Sequence, residues 1–229
     1  MKNLILIHGA IGAADQMQPM ADVLKATFDI HLLELDGHGK SSGKGNAFTL
    51  NHFTNQLSTL TDAIGEEAHV FGYSMGGFIA LLQAAKPDSR IRSVFTLGTK
   101  LKWNEEIARK ECAMLNPEKI EEKVPTFAHA LAKRHGQDQW KDVLTNTAKL
   151  LKEIGKVQPI QPELMCKITC PVHLCLADQD AMVTEEETRT VEQWLVNGSF
   201  SILPHSPHPI EKANVLALAE KIKAFNASL

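Results

Sequence analysis

Segments with the pattern of strands and segments with the pattern of helices follow one another along the first hundred residues. Residues 4–7 form a continuous apolar run with the length of a strand buried on both faces. Further strands are predicted at residues 30–35, at the short apolar run of residues 70–71 and at residues 91–97. The amphipathic stretch, residues 50–64, predicts a helix because its apolar positions recur at helical spacing: Phe53, Leu57, Leu60 and Ile64. Strands that alternate with helices are typical of a parallel sheet covered by helices on both faces, so we predict this α/β architecture.

The pattern changes between residues 101 and 167, where strand signals disappear and helices follow one another. The predicted helices cover residues 105–114, 117–123, 126–134 and 139–154. Apolar faces on the last two predict burial against a neighbouring surface and contain Phe127, Leu131, Trp140, Leu144, Leu151 and Ile154. Strand signals return at residues 171–176 and 199–203. We therefore expect a helical cap at residues 101–167, inserted into an α/β core of residues 1–100 and 168–229.

Composition narrows the classes of protein that fit this pattern. A chain of 229 residues with 44% hydrophobic content can bury one substantial core. A formal charge of −3, with both signs mixed through residues 101–167, argues against a nucleic-acid partner. The four cysteines lack the spacing of a zinc site and are too few for a disulfide framework. No stretch reaches the length of a membrane span, and His8-Gly9 interrupts the first apolar run, which is too short for a signal peptide. We therefore expect a cytoplasmic protein. We also expect neither a metal nor a cofactor.

The most informative stretch is Gly72-Tyr73-Ser74-Met75-Gly76, which follows an apolar run and opens a helical pattern. A serine at an abrupt turn between strand and helix is held in a strained backbone conformation, which small neighbours permit. Its hydroxyl then stands at a helix N-terminus, where amides and the helix dipole favour developing negative charge. Ser74 is therefore a candidate nucleophile.

Carboxylates and histidines follow the last two predicted strands. Asp178 and Asp180 come directly after residues 171–176, and His205 and His208 come after residues 199–203. In parallel sheets the reactive groups gather at the carboxyl ends of the strands, where Ser74 also lies. The spacing alone does not decide which aspartate and which histidine take part in the chemistry.

Together these motifs resemble the α/β-hydrolase superfamily over nearly the whole chain. His8-Gly9-Ala10-Ile11-Gly12 is similar to the family's oxyanion loop, and Gly72 to Gly76 is similar to its nucleophile elbow. Asp36-Gly37-His38-Gly39-Lys40-Ser41 resembles its glycine-rich loop with one residue fewer before the first glycine, and residues 101–167 occupy the position of its cap. The family order Ser…Asp…His also matches. One departure is that the family's first two strands have no counterpart, which implies a sheet of about six strands.

The resemblance assigns roles to particular residues. The family spacing favours Asp180 over Asp178 as the acid and His208 over His205 as the base, which implies a triad of Ser74, His208 and Asp180. It also implies an oxyanion hole formed by the backbone N–H groups of Met75 and Ala10. His205 then becomes a residue at the rim of the pocket.

Three functions fit these expectations. The first is a serine hydrolase that acts on a small or medium carboxylic ester or thioester, in a largely apolar pocket between cap and core. The second is a carbon–carbon bond hydrolase or lyase that uses the same triad, and the third is a ligand-binding receptor with little turnover. The expected partner is a small-molecule substrate, and the chain is expected to be a monomer or homodimer.

The remaining histidines are expected to be structural. His8 and His38 should brace backbone groups of their loops. The sequence gives no role to His31, His52, His69, His129, His135 and His173.

Overall fold

The computed structural model describes residues 1–43, 48–227 and 229. Its six strands are β1 (Lys2–Ile7), β2 (Phe28–Leu33), β3 (Ala68–Tyr73), β4 (Ile91–Leu97), β5 (Val172–Gln179) and β6 (Gly198–Pro207). They form one parallel sheet in the order β2-β1-β3-β4-β5-β6. The predicted parallel sheet of about six strands is confirmed. β2 lies two residues earlier than predicted because it pairs with the whole of β1, from Lys2 opposite Phe28 to Ile7 opposite Leu33.

Helices connect the strands within the described residues. They are α1 (Gln18–Leu24), α2 (Leu50–Ile64), α3 (Met75–Ala84), α4 (Glu105–Ala113), α5 (Pro117–Lys123), α6 (Pro125–His135), α7 (Trp140–Val157), α8 (Pro162–Met165), α9 (Glu185–Glu192) and α10 (Val215–Ala227). Short 3-10 turns add Ala14–Met17, Gly39–Ser41 and Ile210–Lys212. None of these helices combines the length and the apolar character that a membrane crossing requires.

The central strands of the sheet, β1, β3, β4 and β5, are buried on both faces, as the apolar run in β1 predicts. Successive residues of β1 point to opposite sides, so Ile5 and Ile7 pack in one hydrophobic cluster, whereas Leu4 and Leu6 pack in the other. The first cluster includes residues of α2 and α3, and the second includes residues of α1 and α10. Two helical layers therefore enclose the sheet and fix the positions of its strand ends.

Five helices, α4 to α8, lie between β4 and β5, and we call residues 105–165 the helical insertion. Along α7 the buried stripe continues from Trp140 to Ile154, and Leu150, Leu151 and Ile154 join the larger core cluster. The expected burial of Phe127 is wrong, because its side chain is 38% exposed. The buried stripe of α6 runs instead through Ala128, Leu131, Ala132 and His135, which leaves Phe127 at its margin.

Candidate active site

Ser74 occupies a strained turn between β3 and α3. Its backbone angles are φ 51° and ψ −115°, outside the regions that non-glycine residues favour. The turn is fixed by the Ser74 N–H, which donates to the Leu97 carbonyl at 2.8 Å, and by the Gly77 N–H, which donates to the Ser74 carbonyl at 3.1 Å. The Thr99 hydroxyl donates to the same carbonyl at 3.0 Å. The predicted strand, turn and helix around Ser74 are therefore present, and neighbouring backbone holds the strain.

Two glycines of the elbow are required by close backbone approach. A Cβ atom at Gly72 would lie 2.4 Å from the Cα atom of Gly77, and one at Gly76 would lie 2.5 Å from the Ile7 carbonyl oxygen. The second contact presses the first turn of α3 against the end of β1. Because the loop with Ala10 starts there, the two N–H groups expected to form the oxyanion hole belong to neighbouring segments.

Asp180 and His208 form a hydrogen-bonded pair. The His208 Nδ1 atom lies 2.7 Å from the Asp180 Oδ2 atom, and the side chains are 11% and 1% exposed. The other Asp180 oxygen accepts the N–H groups of Met182 at 2.8 Å and Val183 at 3.0 Å. With a carboxylate at Nδ1, the neutral ring carries its proton there and leaves Nε2 as an acceptor. This arrangement suits a histidine that takes a proton from a hydroxyl.

The competing residues Asp178 and His205 lie in a different structural context. The Asp178 carboxylate accepts the backbone N–H groups of His205 at 2.8 Å and Ser206 at 2.9 Å. These hydrogen bonds lower the pKa of Asp178. The His205 side chain is exposed, and its φ of 53° marks a bend in β6 that Asp178 stabilises. The structure pairs Asp180 with His208, whereas the Asp178 carboxylate binds backbone N–H groups.

Two residues next to the pair carry no signal in the sequence analysis. Gly98, at the end of β4, has φ 59°, and a Cβ atom there would lie 3.0 Å from Asp180 Oδ2 and 3.2 Å from His208 Nδ1. The Tyr73 hydroxyl donates to the His208 carbonyl at 3.0 Å, and burial raises the pKa of Tyr73 so that the hydroxyl stays protonated. Gly98 leaves room for the pair, and Tyr73 fixes the backbone of its histidine.

Ser74 and His208 line a common cavity of about 80 Å³, which we call the Ser74 cavity. Most of its wall is apolar. The residues that line it are Ala10, Ser74, Met75, Phe78, Lys100, Trp103, Glu111, Leu151, Ile154, Met182, Val183 and His208. Within this wall Lys100 Nζ lies 3.4 Å from Glu111 Oε1 and donates to the Met182 carbonyl at 2.6 Å. The insertion thus contributes side chains to the cavity that contains the candidate nucleophile.

The loop that carries Ala10 is braced by His8. The His8 Nδ1 atom lies 2.8 Å from the Gly9 carbonyl oxygen, and Nε2 accepts the Leu35 N–H at 3.1 Å. Burial lowers the pKa of His8 to about 4, so the ring is neutral at pH 7 and can make both contacts. His38 contacts the Asp36 carbonyl at 3.3 Å, and the expected bracing role of both histidines is confirmed.

His135 has a role that the sequence analysis did not assign. It is 1% exposed, its Nε2 atom lies 2.9 Å from the Ile11 carbonyl oxygen, and its Nδ1 atom accepts the Gly39 N–H at 2.9 Å. It thereby joins α6 to the loop of Ala10 and to the glycine-rich loop. Burial lowers the pKa of His135, which keeps the ring neutral for both hydrogen bonds. Position 135 continues the apolar stripe of α6 at helical spacing, and this spacing was the signal in the sequence that His135 is buried.

Other histidines also form contacts that the sequence did not indicate. His52 Nε2 lies 2.8 Å from Asp36 Oδ2, His69 Nδ1 lies 2.8 Å from Ser93 Oγ, and His173 contacts two serines of β6. Within residues 1–43, 48–227 and 229, no cluster of three or more His, Cys, Asp or Glu side chains is placed to hold a metal.

Comparison with known sequences gives a family match and partial relatives. The profile described as "alpha/beta hydrolase fold" matches residues 2–129. A component of the acetoin cleaving system of Cupriavidus necator, a dihydrolipoyllysine-residue acetyltransferase, is 34% identical over 94 residues, which cover 41% of this chain and 25% of that protein. A pimeloyl-[acyl-carrier protein] methyl ester esterase of Salmonella heidelberg is 31% identical over 97 residues, covering 42% and 36%. The match therefore spans about a quarter to about a third of these relatives.

Solved structures are similar over the whole chain. An esterase from Thermogutta terrifontis has a TM-score of 0.79 at 18% identity, covering 100% of this chain and 90% of that one. E-2-(acetamidomethylene)succinate hydrolase has a TM-score of 0.78 at 16% identity, covering 99% and 91%. At such low identities the similarity shows a shared fold.

Proposed function

Because the chain belongs to the α/β-hydrolase fold family, we propose that it is a serine hydrolase that cleaves a small or medium carboxylic ester or thioester. The observation that carries the proposal is the 2.7 Å contact between His208 and Asp180 beside a strained Ser74 in one largely apolar cavity. The esterases among the similar proteins support the same reaction class.

The first half of the reaction acylates Ser74. His208 Nε2 removes the proton from Ser74 Oγ as the oxygen attacks the substrate carbonyl carbon. Asp180, which accepts the Nδ1 proton, stabilises the imidazolium that forms. His208 then donates its new proton to the leaving alcohol or thiol as the tetrahedral intermediate collapses, and an acyl-enzyme remains.

The second half releases the acid. A water molecule gives a proton to His208 Nε2 and attacks the acyl carbon, and collapse of this second intermediate returns the proton to Ser74 Oγ. In both halves the negative oxygen is bound by the N–H groups of Met75 and Ala10. The Met75 N–H is the first amide of α3, which lacks a partner within the helix, and one such donor contributes about 3 kcal/mol to transition-state stabilisation.

We also propose that the helical insertion acts as a cap on this site. Glu111, Leu151 and Ile154 lie in the helical insertion and line the Ser74 cavity. Ser74 and His208 line the same cavity and come from the core of residues 1–100 and 168–229. An apolar cavity with so few polar groups favours a small-molecule substrate with an apolar acyl or alkyl part.

The proposed function is tested by an activity screen with p-nitrophenyl esters and acyl thioesters, with Ser74→Ala as the control. Hydrolysis by the native protein that falls at least about a thousandfold in Ser74→Ala would support the proposal. Turnover of a carbon–carbon substrate with no ester hydrolysis would favour the second reaction class. Ligand binding without turnover of any substrate would favour a receptor.

A further inference from the structure

A second cavity lies beside the Ser74 cavity and has no assigned role. Its volume is about 440 Å³, and we call it the Trp194 cavity. It is lined by residues 101–104, by residues 158–161, by Thr184 and residues of α9, and by Trp194. Neither Ser74 nor His208 reaches it, so it lies outside the proposed catalytic site.

The wall between the two cavities is thin. Lys100 lines the Ser74 cavity and its neighbour Leu101 lines the Trp194 cavity, and the same change occurs between Val183 and Thr184. Trp103 lines both cavities. Trp103 is therefore the residue that the two cavities share.

Trp103 is held in this position by its own contacts. The indole Nε1–H donates to the Lys100 carbonyl at 2.9 Å, and the ring packs against the larger core cluster. The preceding backbone is fixed by the buried Glu187, whose Oε1 atom accepts the N–H groups of Leu101 at 3.0 Å and Lys102 at 3.3 Å. A ring that is hydrogen-bonded at its polar atom and packed against the core acts as a fixed wall.

The size of the Ser74 cavity limits what fits on its side of this wall. A dry protein cavity of about 150 Å³ accepts a benzene ring, and the Ser74 cavity has about 80 Å³. It therefore suits an acyl group of a few carbon atoms. We propose, on the basis of the proposed function, that Trp103 is the specificity-determining residue that restricts the enzyme to short acyl chains. The Trp194 cavity is then a latent subsite that receives a longer chain when the indole is removed.

The test compares kcat/KM for p-nitrophenyl acetate, butyrate and octanoate. The native enzyme should prefer the short esters, and Trp103→Ala should raise octanoate relative to acetate by at least about tenfold. This size follows from the effect of a methylene group in an apolar pocket, which is about 10- to 200-fold. Trp103→Phe should give a smaller change in the same direction and serves if the alanine variant does not fold.

Two further variants separate the wall from a general loosening of the structure. Trp194→Ala removes an indole that lines only the larger cavity, and its chain-length profile should match that of the native enzyme. Adding Thr190→Trp to Trp103→Ala places a ring in the larger cavity and should remove the gain with octanoate. The proposal is overturned if Trp103→Ala still reacts at Ser74 with a fluorophosphonate but keeps the native profile, or if Trp194→Ala shifts the profile equally.

A binding measurement keeps this proposal distinct from the proposed function. In a Ser74→Ala background, octanoate should raise the melting temperature when Trp103 is replaced by alanine and leave it unchanged when Trp103 is present. If octanoate binds in this way but the native chain hydrolyses no ester, the proposed hydrolase activity is rejected and the role of Trp103 as a wall between the cavities is retained. Ester hydrolysis with no difference in octanoate binding would reject the wall and retain the hydrolase.

Discussion

Ser74 lies at the carboxyl ends of the parallel strands, which we call the sheet edge. This sheet edge and the helical insertion that lines the Ser74 cavity are held by different kinds of contact. At the sheet edge the turn of Ser74 is fixed by backbone hydrogen bonds and by glycines in close approach, such as Gly76 against β1. The insertion contacts the same region through individual side chains, including His135 and the Lys100–Glu111 pair. The candidate nucleophile is therefore held by the backbone of the sheet, whereas the shape of its cavity depends on a few replaceable side chains.

The largest effect is expected when each candidate acid and each candidate base at the sheet edge is substituted in turn. Asp180→Asn should lower kcat about 10⁴-fold because the amide favours the wrong histidine tautomer, and His208→Ala should be at least as damaging. Asp178→Asn and His205→Ala are the controls, since neither side chain contacts His208 through a hydrogen bond that the structure shows. Steady-state kinetics on the best ester decide the ranking, and a reversed order in either pair would reject that assignment.

The next effect is on stability and concerns a buried histidine of the sheet edge. The lowered pKa of His8, about 4 in the folded protein, means that the unfolded chain binds the proton more readily. Its contribution to the unfolding free energy is fully present above about pH 6.5 and is lost as the pH falls towards 4, by up to about 3 kcal/mol.

Urea unfolding between pH 7 and 4.5 measures this loss. His8→Asn should flatten the pH dependence, and the exposed His129→Asn is the control on the insertion. An unchanged slope in His8→Asn would show that other groups account for acid sensitivity.

Gly98 tests how tightly the sheet edge encloses the pair. Gly98→Ala should lower kcat about a hundredfold, because its Cβ atom would press on Asp180 and His208 and a misplacement of 1 Å costs about that much. Gly65→Ala is a matched control, since Gly65 also has a positive φ, 78°, but has open space around it. Both variants carry backbone strain, so equal losses of kcat would show that strain, not crowding, is the cause.

The smallest effect should come from the insertion. His135→Ala should lower the unfolding free energy by about 2 kcal/mol, because it leaves the Ile11 carbonyl and the Gly39 N–H without their partner. It should also raise KM, since Ile11 adjoins Ala10 in the cavity wall. His129→Ala changes an exposed histidine of the same helix and should do neither. Equal urea midpoints for the two variants would show that the contacts of His135 with Ile11 and Gly39 do not stabilise the fold.

The parts of the site that the sequence predicts are those with a local cause. The turn at Ser74 is visible because an apolar strand, two glycines and a helical pattern lie within ten residues. The proposed roles of Asp180 and His208 needed the spacing of a known family, because the two residues are far from Ser74 along the chain. The sheet was predictable for the same reason as the turn, since each strand is a short local pattern, such as the apolar run of residues 4–7 in β1.

The unpredicted parts depend on contacts between distant segments. His135 meets Gly39, which is 96 positions away, and Gly98 is important only because Asp180 and His208 pack beside it. Trp103 is one aromatic residue at the start of a helical region in the sequence, and its position beside two cavities follows from the arrangement of α3, α7 and α9. Helical spacing indicates that position 135 is buried, but the partners of these residues are set by tertiary packing between distant segments.

The central claim is that Ser74 is a nucleophile activated by His208. The most direct measurement is mass spectrometry of the protein after reaction with a small fluorophosphonate, followed by peptide mapping. We predict one adduct, located on Ser74, which is lost in Ser74→Ala and forms far more slowly in His208→Ala but at the native rate in His205→Ala. An adduct on another residue, or none on the folded native protein, would contradict the account.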